Sequence, residues 1–277
     1  MKPEEGRATY SPDQFARLFS VEARHFWFKS RNRCIAAALR TLPDLNAIRN
    51  VLEVGCGTGI VLEELQRLLP QARLVGLDLF QEGLEFARRR FDGTLIQADV
   101  LQYRPEQPFD LVGAFDVIEH LDDDETLLRH LSERLRPGGH VVLTVPAHGG
   151  LWSYFDEVAH HRRRYEVAEL KAKLVSAGFV NVYVTQFMMA LFPIMWLKRH
   201  FIGDRAKGLS QASREEQQAA AESDLRINPL TNWLLTMLTR PDAFLISRRL
   251  PVPVGTSLLA LASRSNCLLQ GAKTLSE

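Results

Sequence analysis

Ten residues, Val51-Leu52-Glu53-Val54-Gly55-Cys56-Gly57-Thr58-Gly59-Ile60, constrain the fold more than any others. They read as an apolar strand running into a glycine-rich turn. The residues that follow, Val61 to Leu69, have helical apolar spacing. A strand, a glycine turn and a helix N-terminus form a ligand cradle. Glycines let the backbone approach a ligand closely, and free N–H groups point at it. The pattern is G-x-G-x-G. The third glycine of a dinucleotide fingerprint would fall at Ile60, whose branched side chain would crowd a pyrophosphate. Leu74-Val75-Gly76-Leu77-Asp78 supplies a second apolar strand. It ends in a carboxylate about 20 residues beyond the glycines, where such folds bind ribose hydroxyls. A turn or helix cap at the strand end is the other reading of Asp78.

The chain has 277 residues, enough for one large domain or a domain with an elaboration. A formal net charge of +1 excludes a general nucleic-acid binder, which carries a strong basic excess. Cys34, Cys56 and Cys267 have no metal-ligand spacing and suggest no disulfide framework, which fits a reduced, cytoplasmic setting. Met1 to Gly6 has no apolar signal core. No apolar run approaches the roughly 18 residues that a membrane span needs.

Ser11-Pro12-Asp13 reads as a helix start with Ser11 as N-cap. An aromatic and basic cluster, His25 to Arg33, follows, and a helix then runs to Pro43. The run Arg88-Arg89-Arg90 reads as a solvated face at a helix end. A third strand leads to Asp99, and a fourth runs from Phe109 towards His120. Asp122 to Glu125 caps a helix, Arg136 to Gly139 reads as a turn, and His140 to Pro146 is the fifth strand. Glu166 to Ala177 is a helix closed by Gly178, followed by strands over Val180–Thr185 and Gly255–Ser263.

Val51–Ile60 with Asp78 resembles the first two motifs of the class I S-adenosylmethionine-dependent methyltransferases. The match runs on through Asp99, Phe115–Leu121 and Leu135–Pro146. It implies an α/β fold: a Rossmann-like, doubly wound, seven-stranded sheet with an antiparallel last strand. To this the chain adds an N-terminal helical cap and a C-terminal helical insertion. The expected segments are a cap over 1–49, the core over 50–186, the insertion over 187–253 and the last strand with its tail over 254–277. The cofactor implied is S-adenosyl-L-methionine, with Glu53, Gly55, Cys56, Gly57, Gly59, Asp78, Leu79, Asp99, Val100 and Phe115 lining its site. By that resemblance Asp99 takes the adenine amino group, and the backbone of Val100 faces the ring.

Ligands in open α/β sheets lie beyond the carboxyl ends of the strands, so Asp116, Glu119 and His120 face the reaction centre. The candidate catalytic residues are His120, His161 and Asp116, a histidine being titratable near neutral pH. Some relatives use an acidic-x-x-Glu-His stretch to bind Mg²⁺. The other reading is a helix start, with Glu119 as a first-turn charge and no metal. N-terminal helices of the superfamily fold over the cofactor, which makes Trp27, Phe28 and Arg31 candidates for a lid. His148 to Tyr165 resembles a subgroup signature, Trp-Ser…Asp-Glu…His-x-Arg-Arg-Tyr, with His160 in place of a glycine. On it Trp152, Arg163, Arg164 and Tyr165 are expected to meet an anionic or polar substrate, since arginine forks suit carboxylate and phosphate.

The function expected is methyl transfer, O-methylation above all, to a small acceptor that is anionic or lipid-like. The rivals are an NAD-dependent oxidoreductase and a non-catalytic scaffold. Within the insertion, Phe187–Leu197 and Trp233–Leu238 are apolar and bordered by Lys or Arg, with polar Ser213–Asp224 between them. They read either as a cap over the site or as a peripheral membrane contact. The oligomeric state has no signature.

Overall fold

The structure, a computed structural model, describes residues 12–201 and 227–266, with 213, 216, 217, 220 and 223 between them. The expected N-cap Ser11, the N-terminal six residues, Cys267 and most of Ser213–Asp224 lie outside the described residues.

The seven strands are β1 (Asn50–Val54), β2 (Arg73–Asp78), β3 (Thr94–Gln97), β4 (Phe109–Phe115), β5 (Leu135–Pro146), β6 (Phe179–Phe187) and β7 (Ser257–Arg264). They form one sheet in the order β3-β2-β1-β4-β5-β7-β6. The first five pair in parallel, whereas β7 runs antiparallel to both β5 and β6. The strand order reverses between β1, which continues to β2, and β4, so the crevice of a doubly wound fold opens there. The central strands are apolar on both faces, as a sheet covered by helices requires. One core cluster lies on the side of α3 (Ile60–Leu68) and the other under α5 (Asp124–Arg134) and α7 (Val167–Ser176).

The N-terminal cap comprises α1 (Pro12–Val21) and α2 (Phe26–Leu39). Between β2 and β3 lies α4 (Gln81–Ala87), and α6 (Tyr154–Val158) follows β5. The insertion supplies α8 (Phe192–Phe201), α9 (Pro229–Leu238) and α10 (Arg240–Ser247). Cap and insertion are joined. The Phe26 amide donates to Asn232 Oδ1 at 2.7 Å, and the Ser30 and Thr239 hydroxyls meet at 2.5 Å.

Three local expectations change. Residues Arg136 to Gly139 lie within β5, where its register against β4 shifts between Phe109 and Leu111. Arg90 is not on a solvated face. It is half-buried and paired with Glu22, so only Arg88 and Arg89 are exposed. Glu119 does stand in the first turn of a short helix, Ile118–His120, after β4, but that turn buries it.

Candidate active site

The cradle forms as β1 ends. The amides of Gly55 and Cys56 both donate to the Leu77 carbonyl, at 2.8 and 3.1 Å, which ties the turn to β2. Gly57 donates to Asp78 Oδ2 at 2.7 Å, and Asp78 Oδ1 accepts from the Phe80 amide at 2.9 Å. The carboxylate of Asp78 thus holds the turn at the end of β2. Burial raises its pKa, against which these backbone bonds work. Gly59 caps α3 at φ 80°, a left-handed conformation that side chains resist. A side chain at Gly57 would meet no atom within 4 Å, so space is open above it.

Glu53 sits at the foot of the cradle, 2% exposed, and its Oε2 has no hydrogen-bond partner. Burial pushes its carboxyl up, and the Arg31 guanidinium pulls the other way. An orphaned buried acceptor beside an open glycine turn suits a ligand that brings its own donors. The cradle is closed from the side. Thr58 donates its hydroxyl to Glu22, the residue after α1, and Glu22 pairs with Arg90 beyond α4. Along the rim, Asp99 Oδ1 accepts from the Leu101 amide at 2.9 Å, Val100 is half-buried and Leu79 is exposed. Cys56 and Phe115 are buried within the core, where they shape the floor.

Beyond the carboxyl end of β4 lies a second group of residues. Asp116 stands at φ 57° and accepts from Arg31 Nη1 at 2.7 Å. The Arg31 guanidinium also lies over the rings of Trp27 and Phe28, at 5.1 and 5.5 Å from their centroids. Next comes Glu119, fully buried, with neither carboxylate oxygen hydrogen-bonded. Burial and then Asp116 raise its pKa well above the usual carboxylate range. His161 Nε2 lies 3.9 Å from Glu119 Oε1, and His161 Nδ1 is 2.9 Å from Asp156 Oδ1. The His120 ring packs edge-on against that of His161, with centroids 5.0 Å apart. Burial, with His161 beside it, lowers His120 to about 4, so it is neutral near pH 7. Among the described residues, Glu119, His120 and His161 are the one group whose ligand atoms all lie within 4.8 Å of one another.

Asp156 organises this corner. It accepts from Arg164 Nε and Nη2 at 2.8 and 3.1 Å and from the Ser153 amide at 2.8 Å, closing a capping box on α6. Burial alone would raise its pKa, but His161 and Arg164 outweigh that and hold it below the ordinary value.

The structure therefore brings together His120, His161, Asp116, Arg31, Trp27 and Phe28. Three of the other signature residues are tied into the fold. Tyr165 is wholly buried, its hydroxyl donating to Asp124 at 2.7 Å. Arg163 is engaged by the Leu121 and Asp122 carbonyls and by Asp124. Arg164 is spent on Asp156 and the Ala147 carbonyl. These three brace the loop that carries His161, and the buried Nε of Arg163 is left without a hydrogen-bond partner. Trp152 is half-buried at the entry to α6. Asp156 is the residue of this corner that the sequence reading did not single out. The sequence did carry a signal for Asp156, since Ser153-x-x-Asp156 is a capping-box spacing that sets the acid five residues before His161.

Residues 24–184, more than half of the chain, match the family model described as "Methyltransferase domain". A trans-aconitate 2-methyltransferase of Azoarcus sp. (strain BH72) is 34% identical over 148 residues, 53% of this chain and 56% of the relative. The enzyme of the same name from Methylobacterium nodulans is 33% identical over 160 residues, 57% and 59% of the two chains. The chain thus matches little more than half the length of these curated relatives. Phosphoethanolamine N-methyltransferase 2 of Haemonchus contortus, solved with S-adenosyl-L-methionine, superposes with a TM-score of 0.59 at 19% identity. It covers 94% of this chain and 58% of that one, a likeness of fold. Together with the G-x-G-x-G cradle and the seven-stranded order, the family match shows that the chain belongs to the class I S-adenosylmethionine-dependent methyltransferases.

Proposed function

We propose that the chain methylates an oxygen of a small anionic acceptor, with His161 as the group that takes the acceptor's proton. The observation that carries this reading is the Asp156–His161 pair beside Arg31 and Asp116, beyond the carboxyl ends of β4 and β5. Arg31 links the two halves of the site, acting on Glu53 at the cradle and on Glu119 at the reaction corner. Glu53, the turn from Gly55 to Gly59, Asp78 and Asp99 would hold S-adenosylmethionine, which when bound supplies an electrophilic methyl group on a sulfonium. The chain's main task is then to align the acceptor. Asp156 accepts from His161 Nδ1–H, which leaves Nε2 bare to receive a proton. Neutral His120 adds no charge at pH 7. Trp27, Phe28 and Arg31 form a lid, and Arg31 can exchange Asp116 for an acceptor carboxylate. The names of the curated relatives supply one small carboxylate to try, trans-aconitate.

The test is transfer of label from S-adenosylmethionine to a panel of hydroxy acids and carboxylates, trans-aconitate among them. His161→Ala is expected to lower turnover on a hydroxyl acceptor about 10²–10⁴-fold, the usual worth of a general base. Wild-type turnover in that variant would remove His161 from the chemistry. For a carboxylate acceptor, already ionised, the loss would be small and Arg31→Gln would carry the larger effect.

The group Glu119, His120 and His161 favours a second reading, in which the site holds a divalent cation. Two imidazoles and a carboxylate are an established donor set, and Asp156 behind His161 is the outer-shell partner such a ligand uses. A bound cation would lower the pKa of an acceptor hydroxyl. Metal content of the purified protein, before and after EDTA and in Glu119→Gln, decides between the two readings.

A further inference from the structure

Helix α9 is apolar on much of its surface: Asn232, Leu235, Thr236 and Met237 are half-buried, while four large apolar side chains stand outward. Asn232 accepts from the Phe26 amide at 2.7 Å and donates to the Arg24 carbonyl at 2.9 Å, and Thr239 is wholly buried against Ser30. On the opposite side Leu230, Trp233, Leu234 and Leu238 are 72%, 59%, 49% and 45% exposed. Positions i, i+3, i+4 and i+8 lie on one helical face, so these four form a continuous stripe. Phe244 of α10 is 60% exposed as well.

The charges around the stripe have one sign. Between residues 227 and 250 the charged side chains are Arg240, Asp242, Arg248 and Arg249. Asp242 is wholly buried and spent on the amides of Met188 and Met189, at 2.7 and 3.2 Å. The three arginines are exposed, and the Arg248 guanidinium lies over the Phe244 ring at 5.6 Å. Among the described residues of α9 and α10 the outward charge is therefore wholly basic.

We propose that the outer face of α9 and α10 is a docking surface for an anionic lipid bilayer. At about 1.5 Å per residue the ten-residue α9 is roughly 15 Å long. It cannot cross a hydrocarbon core of about 30 Å and lies in the interfacial plane. Trp233, with an apolar body and a polar N–H, suits the headgroup boundary. Pairing of two copies through the same face would set Arg240 and Arg248 against their own kind, whereas an anionic surface satisfies them. The proposal does not depend on the methyl-transfer reading. It gives that reading a geometry, because the same helix holds the start of α2, which carries Trp27, Phe28 and Arg31.

Co-sedimentation of the full chain with vesicles tests it. The protein is expected to bind mixed phosphatidylcholine–phosphatidylserine vesicles at low salt, to bind phosphatidylcholine alone far less, and to be released by added salt. Arg240→Gln and Arg248→Gln should each weaken binding to the anionic vesicles about fivefold. The double variant Trp233→Ser, Leu234→Ser should abolish binding with its unfolding temperature unchanged, since both side chains are exposed. Failure of the wild type to bind anionic vesicles at low salt would overturn the proposal. So would a concentration-dependent dimer that Trp233→Ser disperses. So would a marked loss of stability in the double variant, which would mean that the chain covers the stripe itself.

Discussion

Asp156 and Glu119 face the same imidazole from opposite sides, and their carboxyls are shifted in opposite directions. That contrast yields two measurable signs. Asp156, depressed, contributes stability that is present above its unfolded value, about 3.9, and is lost as pH falls through its lower folded value. Asp156→Asn should therefore be markedly less stable than wild type at pH 7, with the gap closing below about pH 4. The same variant should slow turnover on a hydroxyl acceptor about 10²-fold or more, since the tautomer of His161 is no longer fixed. Glu119, raised, contributes stability that is full below its unfolded value, about 4.3, and is lost progressively as pH rises through the folded value. Glu119→Gln should match or exceed wild-type stability at pH 8 and lose that advantage near pH 4. Denaturant titrations of the three proteins across pH read both signs, and a Glu119→Gln variant weaker than wild type at pH 8 would refute the second.

At the scale of elements, the join between α2 and α9 rests largely on Asn232, whose amide group bonds the chain at both Arg24 and Phe26. Asn232→Ala should cost about 1–2 kcal/mol, of the order of one or two lost capping bonds, and chemical denaturation measures it. Little in the sequence foretells this join, because the partners stand 206 residues apart. The strands and the glycine cradle were legible, since apolar runs and left-handed glycines are local properties, and the order with an antiparallel last strand followed from the family resemblance. The duties of charged side chains were not legible. Arg90, Arg163 and Arg164 look like any solvated or ligand-seeking arginines until folding sets Glu22, Asp124 and Asp156 beside them. Glu119 likewise reads as a helix-start charge, and only the tight turn after β4 buries it.

For the whole molecule, occupation of the cradle should stabilise the fold by mass action. At about 100 times Kd, S-adenosylmethionine or its demethylated product should add about 2.7 kcal/mol, seen as a rise in unfolding temperature. Asp78→Ala should remove most of that rise, and an undiminished shift in that variant would place the ligand elsewhere. The strand order carries a further consequence, for the chain as it is made. β7 lies between β5 and β6, and His140 of β5 pairs with Ser263 of β7, 123 residues later. At about 5–20 residues per second a ribosome needs roughly 6–25 s to cover that stretch. Throughout it the outer edge of β5 is unpaired, and once Phe187 is made β6 also waits without a neighbour until β7 follows. Synthesis, more than the finished protein, is when this fold is exposed to aggregation, and a chain halted before Ser257 should depend on chaperones that the completed one no longer needs.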